Sequence, residues 1–244
     1  MRKHLALAAL VALTAAIPAA HAADDLLGPA ATREGDEALI WNAKLTCGTT
    51  EQGVTRYGMW EGRMYSRIPG EKDRHLFDVV GINTRQCERH KDPARGEGFR
   101  SVSREIMVYL DPATGEVIDK WKNPWTGEMV EVIHVANDPV NMRAPTFARK
   151  ADGTPLQVSL RRYGDLLVSS SEVPLFYENP LAGAYQDYIG GKYHAMEIFN
   201  TFYSAADFLA PKGPRISPSR ISWQRISGLL PWMRMGDRPG VMIF

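Results

Sequence analysis

The chain has 244 residues, of which 44% are hydrophobic and 23% charged, and its formal net charge at pH 7 is +1. A charge this close to zero provides no strong field to attract nucleic acid or an anionic membrane surface, so neither is an expected partner. The length suits one well-filled domain, since β barrels and sandwiches commonly use about 200–250 residues as a single domain.

The N-terminal segment is typical of a secretory signal peptide. Basic residues at Arg2-Lys3 precede an apolar run that ends in Ala20-His21-Ala22, which predicts removal of residues 1–22 by cleavage before Ala23. A membrane anchor is the alternative, but the run of about 16 residues is interrupted by Pro18 and is shorter than the roughly 20 residues that span a bilayer. Cleavage removes two of 29 basic residues against 28 acidic ones and leaves a net charge of −1. We therefore expect a periplasmic or secreted mature protein without a membrane span.

Two cysteines, Cys47 and Cys87, remain in the mature chain. In an oxidising compartment such a pair usually forms a disulfide, and we expect Cα atoms within about 7 Å. Two buried free thiols are the alternative. Their separation of 40 residues lacks the CxxC spacing of zinc sites.

Residues 23–37 are mostly small or acidic and include Gly and Pro, which predicts a flexible lead-in before a single domain over residues 38–244. Apolar and polar residues alternate over residues 39–47 and again over Val54–Ile68, which predicts two strands with one buried face each. The sequence ends in Val241-Met-Ile-Phe244, typical of the start of a strand, so we expect the native chain to continue beyond Phe244.

Two similar turns lie 12 residues apart in the middle of the chain. Asp111-Pro-Ala-Thr-Gly-Glu116 and Asn123-Pro-Trp-Thr-Gly-Glu128 each combine a turn-initiating Asp or Asn, a Pro and a Gly. The segments around them are rich in Val, Ile, Trp and Tyr, and predict a three-stranded antiparallel meander. Its strands are Ser103–Leu110, Val117–Lys122 and Met129–Ala136.

The C-terminal half continues this pattern. Strands are predicted over Leu156–Tyr163 and Leu166–Ser171, and the ambiguous segment Tyr193–Leu209 is interpreted as a strand to about Tyr203 with a short helix from Ser204. Short, evenly spaced strands without long helices favour an all-β fold. We expect a mainly β protein, in which an antiparallel meander closes into a lipocalin-like barrel of about 8–10 strands with short helical excursions.

One histidine interrupts an apolar strand. His134 in Val132-Ile-His-Val135 would share a face with Val130, Val132 and Ala136. A polar ring on an inward face needs a partner or a ligand, because unpartnered burial costs roughly 1–3 kcal/mol. A core histidine bonded to a neighbouring group is one interpretation. The other, on which we base a candidate site, is that His134 faces a cavity, where it binds ligand or acts as a general base.

Tryptophans are numerous for this length, and most are expected to fill the core. The same side chains can line an apolar cavity in which a few polar groups orient a ligand. The candidate ligand-binding residues are Trp60, Trp121, His134, Asn137, Tyr163 and Trp232.

Familiar catalytic and metal signatures are absent from the sequence. It contains no GxSxG, HExxH or GxGxxG motif and no P-loop, and we predict neither a metal nor a cofactor.

Several stretches resemble DUF1838, an uncharacterised bacterial family. They are the two turns, with the second extended back to Trp121, the run His134-Val-Ala-Asn-Asp-Pro-Val140, and Leu230-Pro-Trp-Met-Arg-Met-Gly-Asp-Arg-Pro-Gly240. The resemblance covers most of the chain after about Ala38. It implies relatives in exported or lipid-facing settings and a chain that continues past the final strand, but it implies no activity and no catalytic residue.

Three functions fit these observations. The first is an exported barrel that binds a small apolar or aromatic molecule in its interior. The second is a periplasmic isomerase or lyase that uses the same cavity with His134 as base. The third is a structural or interaction protein with a filled core. The interior distinguishes them: an open apolar cavity favours the first, a histidine paired with a carboxylate at the cavity floor the second, and a filled core the third.

Overall fold

The computed structural model describes residues 30–138, 144–178, 192–210 and 213–244. The strands are β1 (Ala30–Glu34), β2 (Arg56–Arg67), β3 (Arg74–Asp92), β4 (Gly96–Leu110), β5 (Lys120–Lys122), β6 (Met129–Glu131), β7 (Val135–Asp138), β8 (Thr146–Phe147), β9 (Gln157–Tyr163), β10 (Leu166–Glu178), β11 (Lys192–Ser204), β12 (Arg220–Gly228) and β13 (Val241–Ile243). Two helices, α1 (Gly35–Cys47) and α2 (Ala205–Leu209), and a 3₁₀ turn (Pro231–Met233) complete the fold.

Eleven strands form one antiparallel sheet. Its hydrogen-bonded order is β1-β9-β10-β11-β12-β13-β2-β3-β4-β7, with β8 added to β4. Strands β5 and β6 form a separate hairpin. The predicted mainly β, antiparallel class is confirmed. Closure into a barrel is not, because the end strands β1 and β7 are not paired with each other in the part of the chain described.

The open sheet is strongly curved. Helix α1 contacts β1 and β9 at one end of the strand order and also β3 and β4 near the other end. In a flat sheet β1 and β4 would lie eight strand spacings apart, about 38 Å. A helix of 13 residues is only about 20 Å long. The sheet therefore bends around α1, and we call the face that α1 contacts the inner face.

Helix α1 corrects two predictions. The segment expected as the first strand, residues 39–47, is helical, and β1 and the first turn of α1 lie within the expected flexible lead-in 23–37. The buried residues Ala38, Trp41, Lys44 and Cys47 recur every three positions. That spacing places them on one helical face, which packs on the sheet, so the apparent alternation was misleading.

The structure also separates the predicted meander. Strand β6 ends at Glu131, and β7 begins at Val135 and pairs with β4, so Met129–Ala136 is not one continuous strand. The turns themselves are confirmed. The Asp111 carboxylate and the Asn123 amide oxygen each accept two backbone N–H groups within their own turn. The hairpin that follows β4 folds back onto the sheet instead of extending it.

The C-terminal predictions agree better with the structure. Strand β11 ends at Ser204 and α2 follows directly, as predicted. The Ser204 hydroxyl accepts the backbone N–H of Asp207 and caps the helix.

Three apolar clusters are buried among the described residues: a small one of Ala43, Cys47, Cys87 and Phe99 beneath α1, and two larger cores that cover the two ends of the inner face. The first of the larger cores, which we call the hairpin core, packs β2, β3 and β4 against the β5–β6 hairpin and the 3₁₀ turn; its buried residues are Met64, Leu76, Phe77, Val79, Met107, Tyr109, Val130, Val132, Leu230, Trp232, Met233 and Met242. The second, the helix core, packs α1 and α2 against β9, β10 and β11; its buried residues are Ala38, Trp41, Val158, Leu160, Leu167, Tyr203, Ala205, Phe208 and Ile216. Between these two cores, the inner face carries mainly polar and aromatic side chains.

Candidate functional site

Polar and aromatic side chains lie on the inner face between the two cores. Strand register places Glu197 beside Arg225 and Phe199 beside Trp223, and Trp60 lies opposite Gly81. Because side chains alternate between the two faces of a strand, these residues all point to the inner face. We call Trp60, Glu197, Phe199, Trp223 and Arg225 the belt. All five are partly exposed, so the belt is accessible.

Two glycines make room for the aromatic rings of the belt. A Cβ atom built on Gly81 would lie 2.2 Å from the indole of Trp60, and one on Gly62 would lie 2.8 Å from the ring of Phe244. The Trp60 and Trp223 ring centroids are 6.0 Å apart at right angles. The ring centroids of Phe244 and Trp223 are 4.4 Å apart. The rings therefore form one continuous aromatic wall.

An ion pair lies beside this wall. Arg225 Nη1 is 3.9 Å from Glu197 Oε1, and each side chain is 16% exposed. Burial raises the pKa of the Glu197 carboxyl, and the nearby Arg225 and the Trp223 indole N–H only partly offset this effect. Glu197 therefore keeps its proton to higher pH than an exposed glutamate, and in that form it can donate a hydrogen bond.

Both indole N–H groups of the belt are buried donors. Nε1 of Trp60 makes no hydrogen bond to another described residue, whereas Nε1 of Trp223 has the Glu197 carboxylate as its nearby acceptor. Buried donors are normally paired, and an unpaired one costs about 1–3 kcal/mol. Asn83, 8% exposed, lies on the next row of the inner face. Such groups are expected where a ligand supplies the missing acceptors.

The predicted tryptophans divide between two places. Trp60 lies in the belt and also packs against the hairpin core. Trp121 and Trp232 belong to the hairpin core, where both pack against Phe77, with ring centroids 5.3 and 5.6 Å from it. Trp232 is only 4% exposed. These two therefore act as core side chains, the alternative that the sequence left open.

His134 lies beside the hairpin core rather than in the belt. Its Nδ1 accepts the backbone N–H of Tyr109 at 3.1 Å, and its ring stacks on the Tyr109 ring. Because Nδ1 provides the acceptor, the neutral ring carries its proton on Nε2, which is buried and has no partner among the described residues. A ring held this way has no free lone pair to act as a general base.

The remaining predicted residues do not join the belt. Tyr163 is 39% exposed and lies where β9 turns into β10. Its neighbour Arg162 shares the face of Leu167, so Tyr163 points to the outer face. The side chain of Asn137 lies outside the described part of the structure.

Cys47 and Cys87 lie at disulfide distance, with Cα atoms 6.0 Å apart, which confirms the predicted proximity. The bond connects the last residue of α1 to β3. It thus fastens the helix to the inner face rather than joining two strand ends.

Two of the depressions formed by the described residues lie along the sheet. A crevice of about 100 Å³ reaches Cys87 beside α1. A groove of about 410 Å³ opens at the ends of β10–β13, beyond Glu197 and Arg225. Its lining is Leu175, Phe176, His194, Ala195, Ile226, Ser227, Gly228 and Val241.

Sequence reasoning missed Glu197, Trp223 and Arg225. A signal was present, because residues 195–203 and 223–227 place polar and aromatic residues at alternate positions on one face. On a strand that must bury one face, such a mixture indicates a polar interior.

Within residues 30–138, 144–178, 192–210 and 213–244, no helix is long and apolar enough to cross a membrane. In the same ranges no three His, Cys, Asp or Glu side chains are grouped so that they could hold a metal ion.

Searches of curated proteins and of solved structures found no match. Residues 53–244 match the family described as protein of unknown function DUF1838. The chain therefore belongs to the DUF1838 family.

Proposed function

We propose that this protein binds a small molecule with an apolar or aromatic body on the belt. The observation that carries the proposal is the buried indole N–H donor of Trp60, which has no hydrogen-bond partner among the described residues and lies beside the partly exposed rings of the belt. A buried donor beside partly exposed rings is typical of a binding site, because a ligand can complete its hydrogen bond.

The chemistry of the belt fits this ligand class. Phe199 stacks on Trp223 with parallel planes, and Trp60 and Phe244 meet Trp223 edge-on, which leaves ring surface for an apolar body. Glu197 and Arg225 supply the few polar groups that fix the orientation of a bound molecule. We further propose that the curved sheet holds the ligand in the manner of a lipocalin-like barrel.

Catalysis is the second candidate function. It is supported by Glu197, whose raised pKa and position beside Arg225 are typical of a general acid or base. Tyr203 is less suited to this role, because burial raises its pKa to about 12. A catalytic site in this protein would therefore use Glu197 rather than His134.

Export is part of the proposal. It is supported by the apolar run before Ala20-His21-Ala22 and by the two cysteines at disulfide distance. Together they favour action in the periplasm or outside the cell.

Native mass spectrometry of protein recovered from an exporting host tests both parts. We expect a mature mass that begins at Ala23, together with a second species heavier by one small molecule. Trp223→Leu should lose the heavier species. Trp125→Phe is the matched control, because Trp125 lies outside the belt and donates to Glu71. A wild type without bound molecule, or equal retention by both variants, would contradict binding at the belt.

A further inference from the structure

Strand β13 lies between β12 and β2 and is much shorter than both. It pairs with residues 226–228 of β12 and residues 65–67 of β2. Past Phe244, residues 220–224 of β12 and 56–63 of β2 have no strand between them in the described part of the chain. Because adjacent strands are about 4.8 Å apart, this space is about one strand wide. We call it the strand slot.

The β12 edge of the strand slot carries unpaired backbone groups. Arg225 and Phe244 exchange both backbone N–H···O bonds, at 3.1 and 2.9 Å, so the backbone groups of Arg225 point towards β13. This direction alternates along an antiparallel strand, so those of Trp223 and Ile221 point into the slot. No backbone group among the described residues pairs with them on that side.

The β2 edge is open in the same way. Ile243 pairs with Tyr65 and directs its backbone groups at β2, because the residue after it bonds to β12. Counted back from Tyr65 in steps of two, the backbone groups of Arg63, Glu61 and Met59 also point into the slot. Two open edges one strand apart are a template for an added strand.

Apolar side chains along the strand slot are exposed on both faces of the sheet. Ile221, on the inner face, is 60% exposed, and Met59, on the outer face, is 78% exposed. A Cβ atom on Gly58, also on the inner face, would meet nothing within 4 Å. Such exposure beside open backbone edges indicates a surface that a partner covers.

The register of β13 fixes what an added strand would meet. We number its positions in the direction of β13, with position 1 next to Phe244. Position 3 would lie on the outer face between Glu61 and Ser222, and position 5 between Met59 and Arg220. Glu61 and Arg220 are exposed, so a basic residue at position 3 and an acidic one at position 5 would complement them. Positions 2, 4 and 6 would face the inner side, beside the belt, and suit apolar residues.

We propose that the strand slot binds an extended peptide segment of a partner protein, apolar at positions 2, 4 and 6, basic at position 3 and acidic at position 5. The peptide runs antiparallel to β12 and β2, in line with β13. Backbone hydrogen bonds to both edges hold it, and its alternate side chains set the register. This inference goes beyond the proposed function, because the small molecule contacts the rings of the belt, whereas the peptide contacts the backbone edges of two strands.

A matched set of peptides tests the inference by isothermal titration calorimetry. The probe is acetyl-Val-Lys-Val-Glu-Val-Thr-amide, whose side chains take positions 2–7 while the acetyl group takes position 1. Methylation of the backbone nitrogens of its first two valines removes the N–H donors that face β12, and should weaken binding at least about tenfold. Exchange of its Lys and Glu places like charges beside Glu61 and Arg220, and should weaken binding about threefold.

A charge reversal in the protein tests the register. Glu61→Lys should reverse the preference, so that the peptide with exchanged charges binds more tightly than the original probe. Glu116→Lys, in the exposed turn after β4, is the matched control and should leave the preference unchanged.

Amide hydrogen exchange provides a second readout. The backbone N–H groups of Trp223, Ile221 and Glu61 should exchange rapidly in the free protein and at least about tenfold more slowly with the probe bound. Ser222 is the internal control, because its N–H group points to β11 and should be protected in both states.

No binding of the probe, or equal affinities of the probe and its N-methylated form, would overturn the inference. A preference between the two charge patterns that survives Glu61→Lys would overturn the register and with it the peptide chemistry. Slow exchange of the Trp223 and Glu61 amides in the free protein would show that the strand position is already filled, by a second copy if sedimentation shows a dimer, and would also overturn the inference.

Discussion

Gly81 offers the sharpest test of how the aromatic wall is built. A Cβ atom at this position would lie 2.2 Å from the Trp60 indole and 2.9 Å from the backbone oxygen of Ile106. The first contact is far inside van der Waals distance, and the second atom belongs to the neighbouring strand and cannot rotate away. We therefore expect Gly81→Ala to expel the Trp60 indole from its place, at a cost of about 1–3 kcal/mol in the free energy of unfolding.

Gly58 provides the control for this substitution. It lies two residues before Trp60 on β2, and a Cβ atom there would have no neighbour within 4 Å. Gly58→Ala should change the free energy of unfolding by less than about 1 kcal/mol, with stabilisation as the expected sign because it restricts the unfolded chain. Urea unfolding monitored by circular dichroism gives both values, and tryptophan fluorescence reports displacement of the indole. Equal stability of the two variants with unchanged fluorescence would refute the packing of Trp60 on Gly81.

Three other predictions use the same unfolding assay. Replacing both Cys47 and Cys87 by Ser should lower the free energy of unfolding by about 4 kcal/mol, since the bond closes a loop of 40 residues; no change would show that the bond is absent. Asn123→Ala should lower the free energy of unfolding by about 2–4 kcal/mol, because the fully buried amide also donates to the Met233 carbonyl. Asp111→Ala, in the partly exposed equivalent turn, should lower it by about 1 kcal/mol. Equal losses would contradict a role for the hydrogen bond from Asn123 to Met233. Because the pKa of Glu197 is raised in the folded protein, the native state keeps a proton that the unfolded state releases above the ordinary value of 4.5. Wild-type stability relative to Glu197→Gln should therefore fall as pH rises through that window, and a pH-independent difference would refute the shift.

The local chemistry of turns and strands was readable from the sequence. The paired turns at Asp111 and Asn123, the strands β2 and β9 and the change from β11 to α2 at Ser204 follow from short-range rules that tertiary contacts did not override. The proximity of Cys47 and Cys87 was also predictable, although the argument assumed two strand ends. Their actual neighbours are a helix end and a strand.

Long-range placement was not readable in the same way. Residues 39–47 fit both a strand and a helix, and the choice depends on a sheet built from segments far away in the chain. Trp60, Trp121 and Trp232 look equivalent in the sequence and all contact the hairpin core, yet Trp60 also reaches the belt, where its ring meets Trp223. Glu197 and Arg225 are 28 positions apart and meet only because β11 pairs with β12 in one particular register.

The tryptophan indole N–H signals in a ¹H–¹⁵N NMR spectrum test the central claim most directly. The chain contains six tryptophans, so six such signals are expected. On titration with naphthalene-1-acetate, which has an aromatic body, we predict that the signals of Trp60 and Trp223 shift, because a ring bound at the belt changes the surroundings of both N–H groups. Those of Trp41 and Trp232, which lie in the helix and hairpin cores, should stay in place. Binding that leaves the Trp60 and Trp223 signals unmoved would contradict the belt as the ligand site.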